Sequence, residues 1–155
     1  MCHIMSTIIC SISQINQPLN RVKDLFMEKD ELIQIRKKLK KTQKDLAAIL
    51  AVSLRTIRSY EQGDRTIPPH IERQLYFILS RLNGNHSTAK MCWDIKKCSA
   101  DQRKACPAWE YRCGTLCWFI NGTICKCTAE ESWQSKMLIC RDCEVFRSML
   151  STPKT

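Results

Sequence analysis

The sequence lacks three features that would assign it to large or membrane-bound classes of protein. It has no apolar run of eighteen or more residues, which excludes a transmembrane helix. Its first twenty residues contain no lysine or arginine, so a secretory signal peptide with a positive amino-terminal region is not expected. At 155 residues the chain is too short for a large enzyme scaffold and fits one ordinary domain or two very small ones.

Histidine is also scarce, and none lies where cysteine is abundant. The three histidines are His3, His70 and His86, all outside the cysteine-rich segment. A cysteine–histidine nucleophilic pair therefore has no support in that segment, although a redox thiol pair at Cys140 and Cys143 stays open. We expect that the protein is not an enzyme.

Cysteine is abundant but unevenly placed. Two of the 11 cysteines lie near the start, while nine, together with all four tryptophans, lie at or after Cys92. This break in composition near residue 83 predicts two modules joined by a polar, turn-forming linker. We expect an amino-terminal arm at 1–28, a helical domain at 29–82, a linker at 83–90, a cysteine-rich module at 91–150 and a disordered tail at 151–155. The arm is either frayed or an artefact of a translation start that really lies near Met27.

The segment from residue 30 to residue 82 has apolar residues at helical spacing, which predicts four or five short helices. Asp30, Thr42 and Ser53 are suitable helix N-caps, and Asp45 lies three residues after Thr42. Gly63 is placed to end one helix, and the two prolines at 68–69 are placed to begin the next. The predicted fold class is mainly α.

Residues 42–63 read TQKDLAAILAVSLRTIRSYEQG, a pattern with a definite physical reading. Small Ala47 lets two helices approach closely, Val52 fills the turn between them, and Ile57 anchors the second helix in the core. The second helix, which begins after Ser53, is then free to enter a major groove. The stretch resembles the Cro/CI-type (lambda-repressor-like, Xre) helix-turn-helix family over about residues 30–82. It departs from the family at Ala51, where glycine is usual and alanine takes a left-handed turn at modest steric cost.

The resemblance implies double-stranded DNA as the partner. In the family's roles, Gln43 bonds a phosphate and supports the recognition helix, Arg55 suits guanine, and Leu54 and Thr56 offer apolar contact to a thymine methyl. The residues expected at DNA are Gln43, Lys44, Ser53, Leu54, Arg55, Thr56, Arg58, Ser59 and Arg65, of which Lys44, Arg58 and Arg65 suit phosphates. Residues 21–81 contain 14 basic and 8 acidic side chains, a net charge of +6 that favours phosphate contact.

Family members normally bind two half-sites as dimers, so a homodimer is expected. The residues that are candidates for this contact are Leu75, Ile78, Leu79 and Leu82. The same four side chains fit equally well in the core of the domain. The sequence leaves these alternatives open.

The cysteine-rich module has spacings that suit a metal site. Thiolates two or three residues apart converge easily on one point, and Cys140-x-x-Cys143 is the strongest such pair. Disulfides, structural zinc and iron–sulfur ligation all remain open. Disulfides are disfavoured because a helix-turn-helix regulator works in the cytosol, and iron–sulfur ligation is favoured because the ligands are thiolates alone. Four tryptophans are available to shield a cluster, namely Trp93, Trp109, Trp118 and Trp133.

Two Cys-Trp dipeptides, at Cys92 and Cys117, and the closing Cys140-x-x-Cys143-Glu-Val-Phe are similar to the two-CW cysteine-rich module of bacterial and archaeal proteins. This resemblance covers about residues 91–147 and implies a metal-binding domain without a defined reaction. Cys113 departs from the pattern and is the expected spare thiol. The ligands implied are Cys92, Cys98, Cys106, Cys117, Cys125, Cys127, Cys140 and Cys143, enough for two four-thiolate sites or one site with spares.

Thr128-Ala-Glu-Glu131 has the form of a capping box and predicts a final amphipathic helix through Phe146. Taken together, the sequence predicts a lambda-repressor-like domain of four to five helices, followed by a small metal-binding module with a carboxy-terminal helix. The predicted function is a cytoplasmic, sequence-specific transcriptional regulator whose iron–sulfur or zinc module senses redox or metal status. The alternative is an electron-transfer or protein-interaction module for which the helix-turn-helix is only a tether.

Overall fold

The computed structural model describes residues 26–82, 90–125, 128–129 and 132–150. Residues 1–25 of the predicted arm, residues 83–89 of the predicted linker, the predicted tail at 151–155 and the candidate ligand Cys127 lie outside the described residues. Within the described ranges, no helix is both long enough and apolar enough to cross a membrane.

Residues 26–82, the described part of the first half, fold into four helices, in agreement with the spacing of their apolar residues. They are α1 (Lys29–Lys38), α2 (Gln43–Ile49), α3 (Leu54–Gln62) and α4 (Pro69–Leu82). Leu32, Leu46, Ile57 and Leu75 contribute one side chain from each helix to the core, and all four are fully buried. Burial of about 2 kcal/mol per large aliphatic side chain holds these short helices together, since none is long enough to be stable alone.

Helix ends in this half follow local chemistry. The predicted N-cap at Thr42 is confirmed: its side chain accepts a hydrogen bond from the Asp45 backbone N–H, and the Asp45 carboxylate accepts one from the Thr42 backbone N–H, which forms a capping box. The Ser53 side chain accepts from the Thr56 backbone N–H at the start of α3, and Gly63 ends that helix in the left-handed conformation, with φ of 85°. The Asp30 prediction is wrong: α1 begins at Lys29, two residues earlier than an N-cap at Asp30 implies, and Glu28 occupies the N-cap position without a side-chain cap bond.

Ala51 lies in the turn between α2 and α3 with φ of 53°. This is the left-handed conformation for which related turns use glycine, and it is available to alanine at a cost of about 1 kcal/mol. The turn therefore keeps the geometry of the motif despite the substitution.

The second half consists of short elements that follow one another closely. They are α5 (Cys92–Ile95), α6 (Ala100–Lys104), α7 (Pro107–Glu110), a 3-10 helix (Cys117–Phe119), strands β1 (Ile124–Cys125) and β2 (Thr128–Ala129), α8 (Trp133–Cys140) and α9 (Glu144–Leu150). The two strands form an antiparallel hairpin in which Ile124 pairs with Ala129 and Cys125 with Thr128.

The predicted single carboxy-terminal helix is two helices, and its predicted cap is wrong. Thr128 belongs to the hairpin, and Ser132 caps α8 by accepting from the Ser135 backbone N–H. The chain turns after α8, where the Cys143 N–H donates to the Cys140 carbonyl at 2.9 Å, and α9 begins at the next residue. Because of this break, Cys140 and Cys143 share a turn instead of one helix face.

The two halves share one hydrophobic core, which composition did not predict. The Tyr76 ring on α4 meets Trp118 and Phe146 edge-to-face, with ring centroids 6.3 and 5.0 Å apart. Such pairs add about 1 kcal/mol each beyond the area they bury. The cysteine-rich half is therefore packed directly on α4.

Candidate nucleic-acid interface and cysteine cavity

Helix α3 presents a polar face to the outside. Ile57 and Tyr60 are buried and hold its inner side against the core. Arg55 and Arg58 are exposed on the other side, and Ser59 is half-buried beside them. The helix is thus supported from behind and open in front, which is the arrangement that a groove-reading helix needs.

The remaining residues predicted at DNA lie around this face. Lys44, Ser53 and Arg65 are exposed, whereas Gln43, Leu54 and Thr56 are half-buried. The Ser53 and Thr56 hydroxyl oxygens lie 2.8 Å apart, and Ser53 Oγ also accepts the Thr56 backbone N–H. The Ser53 side chain therefore acts as the N-cap of α3.

A charged network fixes α3 on the two preceding helices. The Arg36 guanidinium donates to both carboxylate oxygens of Glu61, at 2.5 and 3.1 Å, and Gln43 Nε2 donates to Glu61 Oε2 at 2.7 Å. Burial raises the pKa of Glu61, but the hydrogen bonds from Arg36 and Gln43 outweigh this effect and lower it overall. Gln43 on α2 is thus bonded directly to α3 through Glu61. Arg36 was not singled out from the sequence, where it lies within a basic run.

An open cleft of about 560 Å³ lies beside the start of α3. Its lining is basic and polar: Arg36, Lys40, Lys41, Thr42, Gln43, Lys44, Leu54 and Arg58. Cations gathered at the edge of a protruding helix neutralise phosphates on both sides of a groove. The Lys44 and Arg58 predicted for phosphate contact therefore lie in one basic surface together with the end of α1.

In the second half, seven of the eight predicted ligand cysteines line one cavity of about 320 Å³. They are Cys92, Cys98, Cys106, Cys117, Cys125, Cys140 and Cys143. Cys113, the expected spare thiol, does not line the cavity, and its Sγ donates to the Ala108 carbonyl at 3.6 Å. Residues 51 positions apart on the chain, from Cys92 in α5 to Cys143 before α9, thus line one cavity.

Three of the four tryptophans, Trp93, Trp109 and Trp118, line the same cavity. Trp93 and Trp109 meet edge-to-face at 4.9 Å, and Trp93 packs so closely on Gly114 that a side chain there would lie within 2.7 Å of its ring. Trp133, which we expected in the same role, is not part of the wall. Its indole is turned toward α4 instead.

Hydrogen bonding and burial shift the pKa values of the cavity thiols in different directions. The Cys117 thiol donates to the Cys92 sulfur, which lowers the pKa of Cys92 and raises the pKa of Cys117. Burial raises the pKa of Cys98 and of Cys125, and the Lys136 ammonium offsets part of this effect at Cys125. Within the part of the chain that the structure describes, no three cysteine, histidine or acidic side chains are arranged to hold a single metal ion.

The cysteine half docks on α4 through a buried carboxylate that the sequence analysis missed. Glu72, only 1% exposed, accepts the Trp133 Nε1–H at 2.9 Å and the Arg141 Nη2–H at 3.2 Å. Arg141 also donates to Glu31 at 2.9 Å. Burial raises the pKa of Glu72, and the bonds from Trp133 and Arg141 oppose that rise. The sequence did contain an indication of this buried carboxylate, because Glu72 follows Ile71 within the apolar face of α4.

Comparison with known proteins gives one match. Residues 32–71 match the helix-turn-helix family model, which covers α1 to the start of α4. The match does not extend into the cysteine-rich half. No curated protein and no solved structure matches the chain. The helix-turn-helix segment, with the exposed face of α3 at its centre, supports a DNA-binding regulator.

Proposed function

We propose that this protein is a sequence-specific transcriptional regulator that binds double-stranded DNA through α3 and carries a thiolate-ligated metal centre in its cysteine cavity. The observation that carries the proposal is the exposed polar face of a helix within the family-matched segment. The cysteine half packs on α4 and Glu31, and it leaves Arg55 and Arg58 exposed.

In this proposal Arg55 reads a base and the surrounding cations hold the backbone. An arginine near the start of a recognition helix suits the O6 and N7 acceptors of guanine in the major groove. Lys44 and Arg58, in the basic cleft, contact phosphates and set the register without reading sequence. Arg65, exposed after the end of α3, extends this phosphate contact.

We place the homodimer contact on exposed apolar side chains of α4. Leu75 and Leu79, two of the four candidates from the sequence, are buried in the core, and Ile78 packs against it. Leu82 is 54% exposed. Phe77 is also exposed, and its ring lies 5.7 Å from that of Phe119 in the cysteine half. A two-fold contact here would join two recognition helices so that each reads one half-site.

The cavity suits an iron–sulfur cluster better than a single zinc ion. Four thiolates around one zinc at 2.3 Å place neighbouring sulfurs about 3.8 Å apart. A cluster distributes its thiolate ligands over several irons and so needs a wider ring. Seven cysteines around one cavity of about 320 Å³ offer the thiolate ligands that such a wider ring needs. When bound, such a cluster would supply one-electron redox chemistry.

The interface with α4 could couple the metal centre to DNA binding. Cys140 precedes Arg141 directly, and Arg141 bonds Glu72 and Glu31 on the helix-turn-helix side. If binding or reduction of the centre changes how Arg141 and Trp133 pack on α4, DNA binding and the centre are coupled. One coupling free energy then changes the affinity for DNA and the affinity for the centre by the same amount. The coupling would thus pass through a few polar contacts in the shared core.

Anaerobic purification followed by metal and sulfide analysis and DNA-binding titration tests the proposal. We expect iron with sulfide, selection of a defined DNA sequence by the protein, and different affinities for that DNA in the cluster-loaded and apo forms. Equal affinities would reduce the centre to a structural role. Absence of any sequence preference would favour the alternative, in which the helix-turn-helix is only a tether.

A further inference from the structure

The cysteine cavity contains a buried cation. Lys136 lies on α8, four residues before Cys140, so both side chains lie on one side of the helix. Its side chain is 1% exposed and lines the cavity. The ammonium donates a hydrogen bond to the Thr123 hydroxyl, which is buried as well. A lysine in such a position is rare unless something compensates its charge.

No carboxylate in the described part of the chain supplies that compensation. Acidic side chains are missing from the cavity lining, and none of the described ones lies within ion-pair distance of Lys136. Lys96 and Arg103 add further positive charge to the same lining, and Arg103 is paired with Asp94 at 3.9 Å. A buried ammonium without an anion loses the hydration it has in water, and the neutral Thr123 hydroxyl uses only one of its three donors.

A second donor in the wall lacks an acceptor. The Trp118 ring is fully buried and lines the cavity. Its indole Nε1–H has no hydrogen-bond partner among the described residues. Buried N–H groups are rarely left unpaired in proteins, because an unpaired one loses the hydrogen bond that it makes to water in the unfolded chain. The wall thus combines excess positive charge with an unused donor, and both features call for an anionic acceptor.

We propose that Lys136 and Trp118 set the reduction potential of an anionic, thiolate-ligated iron–sulfur cluster in this cavity, Lys136 as counter-charge and Trp118 as a hydrogen-bond donor to sulfur. The inference rests on the metal centre of the proposed function and assigns positioning roles that the cysteine spacing does not imply. Net charge and hydrogen bonds to sulfur are two of the factors that determine the potential of such clusters.

When bound, such a cluster would supply one-electron chemistry: a low-potential one-electron carrier would be oxidised, no bond would be made or broken, and one negative charge would be added beside Lys136. The positive charge of Lys136 would stabilise the added negative charge, since opposite charges attract strongly where water is excluded. Removal of that charge therefore makes the cluster harder to reduce.

The test is a potentiometric titration of the full-length, cluster-reconstituted protein with mediator dyes, followed by visible absorption and electron paramagnetic resonance. Lys136→Met should lower the midpoint potential, while Lys136→Arg should stay close to the wild type. The matched control is Lys104→Met, which removes an exposed lysine on α6 outside the cavity lining and should leave the potential unchanged. Trp118→Phe, which keeps a buried ring but removes the donor, should shift the potential downward by a smaller amount.

The outcomes decide the inference separately from the proposed function. Loss of the cluster in Lys136→Met but not in Lys136→Arg supports the need for charge. An unchanged potential in Lys136→Met at equal iron content overturns the proposal, as does a protein that holds only zinc. If neither lysine variant retains the cluster, an unchanged potential in Trp118→Phe overturns it, and a lowered one supports it. DNA binding of the apo protein, measured in parallel, tests the regulator assignment independently.

Discussion

The Trp133 indole donates a hydrogen bond of 2.9 Å to Glu72, which lies 61 residues earlier in the chain and is almost fully buried. The contact joins the first turn of α8 to α4. The Arg73 guanidinium lies 4.6 Å from the Trp133 ring centroid, and Arg73 Nη2 donates to Asn121 at 2.9 Å. Adjacent residues of α4 thus hold the cysteine half in one orientation on the helix-turn-helix.

The first prediction concerns Glu72. Glu72→Leu leaves the Trp133 donor and the Arg141 guanidinium without their buried acceptor, and we expect a loss of about 3 kcal/mol in the free energy of unfolding. Glu72→Gln keeps an acceptor of similar shape and should lose clearly less. Urea denaturation followed by circular dichroism measures both. Equal losses would show that the hydrogen bonds do not hold the interface.

The second prediction concerns base reading. Arg55→Ala should relax the preference at one position of the binding site by about 1–3 kcal/mol. Lys44→Ala should weaken binding to all sequences alike and reduce the salt slope by about one unit, because one phosphate contact is lost. Selection from a random DNA pool and salt titrations measure the two effects. An unchanged preferred sequence in Arg55→Ala would contradict the proposed orientation of α3.

The third prediction concerns the turn before α3. Ala51 has φ of 53°, so Ala51→Gly should remove about 1 kcal/mol of strain, less the entropy that glycine adds to the unfolded chain. The net gain should be a few tenths of a kcal/mol. Ser53→Ala removes the N-cap at the other end of the same turn and should cost about 1 kcal/mol. Thermal unfolding resolves the opposite signs, and destabilisation by Ala51→Gly would contradict the strain argument.

The fourth prediction concerns self-association. Phe77→Glu places a charge on the exposed side of α4, where we propose the two-fold contact, and should shift the protein toward monomer and weaken DNA binding. Ala105→Glu, which adds the same charge at an exposed position just after α6 and away from α4, is the matched control and should leave the association unchanged. Sedimentation equilibrium measures both. A Phe77→Glu protein that associates as the wild type does would place the dimer contact elsewhere.

Local chemistry accounts for most of the first half. Thr42 and Ser53 as caps, Gly63 as a helix end and the proline that opens α4 act within one turn of the chain, so they are readable without a structure. The capping box expected at Thr128 failed for the opposite reason. Thr128 pairs with Cys125 in the hairpin instead of capping a helix. A local sequence pattern does not indicate which strands pair.

The candidate site divides in the same way. Cysteine spacing identified which thiols to consider, and seven of them line one cavity. The spacing contained no information about Lys136 or the unpaired Trp118 indole, because both depend on which wall faces the cavity. The prediction that Trp133 shields the thiols is wrong, because its indole donates to the buried Glu72 carboxylate on α4.

From its sequence alone, this protein is determined to be a helix-turn-helix with a thiol-rich extension, because helix caps, helical periodicity and cysteine spacing are local properties. Only the tertiary structure decided that the extension docks on α4 through Glu72, and that its thiols surround a positively charged cavity. These features join residues from 13 to 110 positions apart, such as Thr123 with Lys136 and Glu31 with Arg141. Such contacts form only after the helices have packed together. The burial of apolar surface, which drives that packing, therefore determines which residues meet.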